Sequence, residues 1–191
     1  MSLDRIAAAR EEHHALLSAF VATHAEEIPE FVDALVEQLH QGGRLFLCGA
    51  GPYAAIADLG AQLFMHRRLI DRPLLPAMSL GHDAALATAL AREGTYHQYF
   101  SRQLKALSLG ADDTVLFFGA AGDNALDEGL AEAERSEALA ALFWQGEAPF
   151  AGSPLTHFFS LNSASTPRGS EVAHFFVHLL CELVEAELFG F

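Results

Sequence analysis

Five short runs of almost uniformly apolar residues limit what this 191-residue chain can fold into. They are Arg44 to Cys48, Leu74 to Leu80, Thr114 to Phe118, Ala138 to Trp144 and His157 to Leu161. A strand with one wet face alternates apolar and polar residues. Runs without that alternation belong in a parallel sheet covered by helices on both faces. The intervening segments agree, because Tyr53 to Leu69, Tyr96 to Leu109 and Asn124 to Ser136 have helical periodicity. A final helix is expected from about Pro167 to Leu188, with Thr166 as its cap and Pro167 as its first helical residue.

Ahead of the first strand, residues 1–41 contain no Gly and only Pro29. Their apolar residues predict two amphipathic helices, the second with Pro29 in its first turn and stopped by Gln41-Gly42-Gly43. The chain reads as one domain over 1–191, an N-terminal helical arm (1–41) followed by an α/β core (42–191). The arm's apolar stripe must pack on the core or on another subunit.

Composition narrows the function classes. With 51% hydrophobic residues the chain is not disordered. Eleven Lys+Arg against 25 Asp+Glu give a net charge of −14, which argues against a nucleic-acid backbone as direct partner. Cys48 and Cys181 lie in apolar runs and read as buried small hydrophobes, not a disulfide framework. The N-terminus carries charges where a signal peptide would be apolar, and no stretch is long enough to span a bilayer. The expectation is a soluble, cytoplasmic protein without membrane partners.

Ligands of such sheets sit beyond the carboxyl ends of the strands, near helix N-termini. Two glycine-bearing turns fall there: Gly49-Ala50-Gly51-Pro52-Tyr53 and Gly119-Ala120-Ala121-Gly122-Asp123-Asn124. Either they let backbone N–H groups approach an anion, or they are tight turns that need glycine.

The order helical arm, Leu-Cys-Gly-x-Gly, Arg72-Pro73-x-Leu75-Pro76-Ala77, Phe100-Ser101-Arg102 and Leu116-x-x-x-x-x-Gly122 resembles the sugar isomerase (SIS) domain. It is most similar to the phosphoheptose isomerases and the related DnaA initiator-associating proteins. Arg168, Glu171 and the tail Cys181-Glu182-Leu183 extend the likeness to the last helix. The resemblance implies a three-layer, flavodoxin-like sandwich with about five parallel strands. It also implies a homotetramer whose N-terminal helices help form the interfaces.

Measured against that family, this chain departs at its chemistry. Ala50 and Tyr53 stand where relatives carry Asn and Ser. The second turn replaces four hydroxyl positions of a phosphate-binding Ser-Thr-Ser-Gly-Asn-Ser with Gly119, Ala120, Ala121 and Asn124, and it has Asp123 in place of an amide. Each lost hydrogen bond to a charged acceptor costs about 1.5–3 kcal/mol. The family's catalytic Glu aligns with Leu63 and its catalytic His with His178. Its further zinc-site His and Gln align with Leu59 and Ser170, so neither metal nor other cofactor is carried over.

Local replacements are conceivable. Glu171, His174 and His178 share a helical face at i, i+3 and i+7, with Asp58, Gln62 or His66 as a fourth metal ligand; alternatively both stripes are ordinary polar faces. Ser163, Ser165, Thr166 and Arg168 could hold an anion at the last helix. Arg67 matches a family arginine that points toward the cleft. His13, His14 and His24 read as surface residues of the arm. The leading expectation is a non-catalytic SIS binding or assembly module, with Leu188, Phe189 and Phe191 as an apolar surface for a protein partner. The alternatives are an active phosphosugar isomerase with a rearranged site, and a sensor for a phosphorylated sugar or nucleotide sugar.

Overall fold

The computed structural model describes residues 2–69, 71–146 and 157–190. Its strands are β1 (Leu45–Gly49), β2 (Ala77–Ser79), β3 (Thr114–Ala120), β4 (Leu139–Gln145) and β5 (His157–Leu161). They form one parallel sheet in the order β2-β1-β3-β4-β5, the flavodoxin-like arrangement. The helices are α1 (Ser2–Thr23), α2 (Glu27–His40), α3 (Ala54–Met65), α4 (Ala84–Arg92), α5 (Tyr99–Ala106), α6 (Asp127–Arg135) and α7 (Thr166–Phe189).

Alternate residues of each strand supply two cores. Leu45, Leu47, Leu116, Phe118, Phe143 and Phe159 face α2, α3, α7 and the end of α1. Phe46, Cys48, Val115, Phe117, Leu142 and Trp144 face α4, α5 and α6. Burying each large side chain contributes about 1.5–3 kcal/mol, so both faces must be covered, as the unbroken apolar runs demand. Both cysteines are buried and unpaired.

Four sequence expectations shift. The run from Leu74 to Leu80 shrinks to Ala77–Ser79, because Leu75 N–H turns to Phe64 O (3.1 Å) and Pro73 and Pro76 have no N–H to donate. Helix α4 was not anticipated; Asp83 caps it, accepting from Leu86 N–H at 2.8 Å. Thr166 is already helical: Ser165 is the N-cap of α7, and its side chain makes no capping bond. The arm divides as well. Helix α2 buries Ile28, Phe31, Val32 and Leu35 in the body, whereas α1 buries Phe20 but leaves Leu3 77% and Ile6 65% exposed.

Among the described residues no helix is long and apolar enough to cross a membrane. Strands β1 and β3 are neighbours, yet α3 packs on one face of the sheet and α6 on the other. The crevice at their carboxyl ends is therefore the topological switch point, where this fold places its ligands.

Candidate functional site

The turn after β1 is locked by backbone contacts. Ala50 N–H donates to Phe118 O at 3.0 Å, and a Cβ on Gly49 would lie 2.2 Å from Tyr53 O. Gly51 has φ +54°. Tyr53 closes the turn and is fully buried; its hydroxyl donates to Gln145 Oε1 at 2.5 Å. Gln145 Nε2 in turn donates to Ser163 O at 2.9 Å. A Cβ on Gly169 would lie 2.2 Å from Gln145 Oε1 and 2.6 Å from Tyr53 Oη, so glycine there lets α7 seat directly on this pair. Burial, with Asp123 nearby, pushes the Tyr53 phenol far above its ordinary range. Tyr53 is thus a floor residue beneath α7 and presents no hydroxyl to the crevice, contrary to its expected role as a ligand contact.

The turn after β3 closes on itself. Asp123 Oδ2 accepts from Ala120 N–H at 2.7 Å, Asp123 N–H donates to Ala120 O at 3.1 Å, and Asn124 N–H donates to Gly122 O at 3.1 Å. Gly122 has φ +98°, a conformation that favours glycine. Ala121, Gly122 and Asn124 are exposed.

Beside these turns, a cleft of about 620 Å³ is lined by His13, Ile56, Ser170, Glu171, His174, Phe175 and His178. The His174 and His178 rings stack at 5.0 Å with 25° between planes. Burial, with His174 and Arg68 nearby, lowers the pKa of His178. Glu171 bonds His13 Nδ1 at 2.8 Å and also pairs with Arg168, whose Nε reaches Glu12 Oε2 at 3.1 Å. Arg168 therefore ties α1 to α7 instead of turning toward Ser165 and Thr166. In the same loop Ser163 Oγ accepts from Ser165 N–H at 3.1 Å.

Across the cleft, α3 offers hydrocarbon. Ile56 lines the opening, Leu63 is 5% exposed, and Leu59 packs on the same core. The candidate metal ligands do not assemble. The two stacked rings do not converge on a point, and among the described residues no three His, Cys, Asp or Glu side chains could hold an ion. Asp58 is engaged by Ser79 Oγ (2.6 Å) and His82 Nε2 (2.7 Å), while His66 lies beyond the last turn of α3. Arg67 is also displaced. Helix α3 starts at the carboxyl end of β1 and runs about 18 Å away at 1.5 Å per residue. Arg67, just past its end, pairs with Asp71 at 2.9 Å.

Leu188 and Phe189 pack against the core and are not a free apolar surface; Phe191 lies outside the described residues. Sequence reasoning missed His13, Phe175 and Gln145. Gln145 was detectable as the polar end of an apolar strand. The role of His13 depends on where α1 docks, which its sequence does not specify. His24 was misread as a surface residue: it is buried, with Nε2 on Ser160 O at 2.9 Å.

The SIS domain model matches residues 10–139, and the chain belongs to that family. It is 32% identical over 189 residues to the phosphoheptose isomerase of Desulfovibrio desulfuricans, covering 98% of this chain and 90% of that one. It is 29% identical over 186 residues to the phosphoheptose isomerase of Thermodesulfovibrio yellowstonii, covering 97% of this chain and 92% of that one. The fold matches the structure of a phosphoheptose isomerase from Francisella tularensis with a TM-score of 0.85 at 23% identity, over 96% of this chain and 98% of that one. The corresponding enzyme from Neisseria gonorrhoeae gives 0.82 at 18% identity, over 97% and 100%.

Proposed function

We propose that this chain is a SIS protein related to the phosphoheptose isomerases that works without their isomerisation chemistry, as a cytoplasmic binding or protein-assembly module. Ketose–aldose isomerisation needs one group to remove a proton beside the carbonyl and another to protonate oxygen. The observation that carries the reading is the unequal cleft. His178 lines the cleft from α7, while the resemblance puts its proton-transfer partner at Leu63 on α3, a buried aliphatic residue. Arg168 is already paired with Glu12 and Glu171 of this chain, which leaves the site poorly matched to a phosphorylated sugar. The half of α1 that leaves Leu3 and Ile6 in solvent supports a homotetramer that covers them.

The test is isotope exchange. Incubated in D₂O with sedoheptulose 7-phosphate, with and without zinc, the protein should leave the carbon beside the carbonyl unlabelled. Deuterium uptake abolished by His178→Ala would reverse the reading.

That reversal is the second reading, an active phosphosugar isomerase with a rearranged site. It is favoured by relatives named phosphoheptose isomerase that match nearly end to end, and by the open cleft that His178 lines beside His174 and Glu171.

A further inference from the structure

Strand β5 forms one side of the sheet, with β4 as its only strand partner among the described residues. Alternate residues of an edge strand turn their backbone N–H and C=O groups away from the sheet, and such a row invites another chain to pair with it. On β5, Leu161 O turns inward to Gly146 N–H at 2.9 Å, so Phe158 and Ser160 are the outward residues. Side chains meet both. Phe158 N–H donates to Glu27 Oε1 at 2.7 Å, and Ser160 O accepts from His24 Nε2 at 2.9 Å. The two side chains also bond each other, His24 Nδ1 with Glu27 Oε2 at 3.0 Å. Both come from the elbow between α1 and α2, which offers the edge a donor and an acceptor where a sixth strand would offer its backbone.

The same elbow governs where α1 lies. His24 is 4% exposed, with its ring 4.9 Å from that of Phe20 and 5.6 Å from that of Phe159. Farther along, Glu12–Arg168 and His13–Glu171 tie α1 to α7, but those four side chains are between 20% and 50% exposed. Ion pairs so open to water hold little. The buried end is therefore the firm one. His13 lines the cleft about 16 Å along the helix from His24, at 1.5 Å per residue, so its position follows the elbow.

We propose that His24 and Glu27 form a latch: fastened to β5 they close the edge of the sheet and hold α1 along α7 with His13 at the cleft, and unfastened they release both together. The arm is a strap secured at its elbow. The latch goes beyond the proposed function and stands whether or not the cleft catalyses.

The experiment follows backbone amide exchange by NMR on the full chain. In the native protein, Phe158 and the amides from His13 to Val21 should exchange through one shared opening, with the same dependence on sub-denaturing urea. The amides of β1 and β3 should exchange only with global unfolding. Glu27→Ala removes both bonds of the carboxylate and should speed exchange at Phe158 and along α1 by at least about tenfold. Glu27→Gln keeps an oxygen for Phe158 N–H and an N–H for Nδ1, so it should stay close to the native rates. Far-UV circular dichroism confirms that each variant is folded; if the Ala variant is not, the native urea series decides. Phe158 exchanging together with β3 overturns the proposal. So does faster exchange at Phe158 with α1 unchanged, which would make the pair a local bond, and so does a Gln variant as fast as the Ala variant. The deuterium assay on turnover is separate, so the two readings fail independently.

Discussion

The two walls of the cleft come from helices that pack against each other, yet they differ in kind. Helix α7 turns Glu171, His174 and His178 toward solvent and keeps Phe176, Val177, Leu180 and Cys181 for the core. Helix α3 buries Ile56, Ala57, Ala61, Leu63 and Phe64, so the side that approaches the cleft is largely an extension of the core. A Cβ on Gly60 of α3 would lie 2.8 Å from Val177 Cγ2 of α7, which shows how closely the two backbones approach. Proton transfer needs groups on both sides of a substrate. The titratable groups that line this cleft come from α7 and from His13 of α1, whereas α3 lends it only Ile56, so the α7 wall should tolerate polar change and the α3 wall should not.

The sharpest way to break that contrast is to exchange chemistry between the walls. Leu63→Glu puts a carboxylate at a position 5% exposed, and it should cost about 4 kcal/mol or more, read as a drop in the urea midpoint. His174→Gln on the opposite wall should stay within about 0.5 kcal/mol. If Leu63→Glu melts like the native chain, the α3 wall is open space and the comparison is lost.

Next in size is the joint that holds the walls together. Arg72 Nε meets Glu185 Oε1 at 2.7 Å with side chains 1% and 5% exposed, and the Arg72 guanidinium also donates to Leu63 O and Phe64 O, both at 2.9 Å. Glu185→Ala strands that guanidinium and should cost about 3 kcal/mol; replacing both residues with apolar ones should recover part of it. Smaller again is Gly169→Ala. Its methyl would meet Gln145 Oε1 and Tyr53 Oη, and the resulting overpacking should cost about 1–3 kcal/mol. A crystal structure of that variant should show the Tyr53–Gln145 bond broken or α7 lifted off the floor; neither change would mean the floor is softer than its geometry implies.

The same division explains what the sequence disclosed. The inner strands β1, β3 and β4 were legible because burial on both faces leaves little room for polar residues, and α7 was legible from its length and its Thr-Pro entry. Helix α4 was missed because AALATALAR is short, rich in alanine and buries only Leu90, although Asp83 ahead of it was a usable signal. In the site, the loss of chemistry at Leu59 and Leu63 could be read directly, since aliphatic residues cannot exchange protons wherever they point. The roles of Tyr53, Asp123 and Arg168 could not, because each depends on a partner far away or on a side chain folding back. Tyr53 meets Gln145 across 92 residues and Arg168 meets Glu12 across 156, and no local pattern encodes such encounters.

The smallest effect concerns His178 on the α7 wall. His178 has its pKa lowered from 6.5, first by burial and then by the nearness of His174 and Arg68. Below 6.5 but above the folded-state value, the unfolded chain binds a proton at this position that the folded chain does not. Stability there rises with pH, so acidification begins to cost stability as pH falls through 6.5, and the cost is complete below the folded-state pKa. His178→Gln should flatten that part of the stability–pH curve. It will not remove the slope altogether, because burial also lowers the pKa of His157, which acts in the same sense. The check is a urea series from pH 5 to 8 on both proteins, with the His178 ring followed by NMR. A titration midpoint above 6.5 would mean the imidazole is held charged. The α7 wall would then present a cation instead of a base, and the cleft would have to be read as an acid's environment.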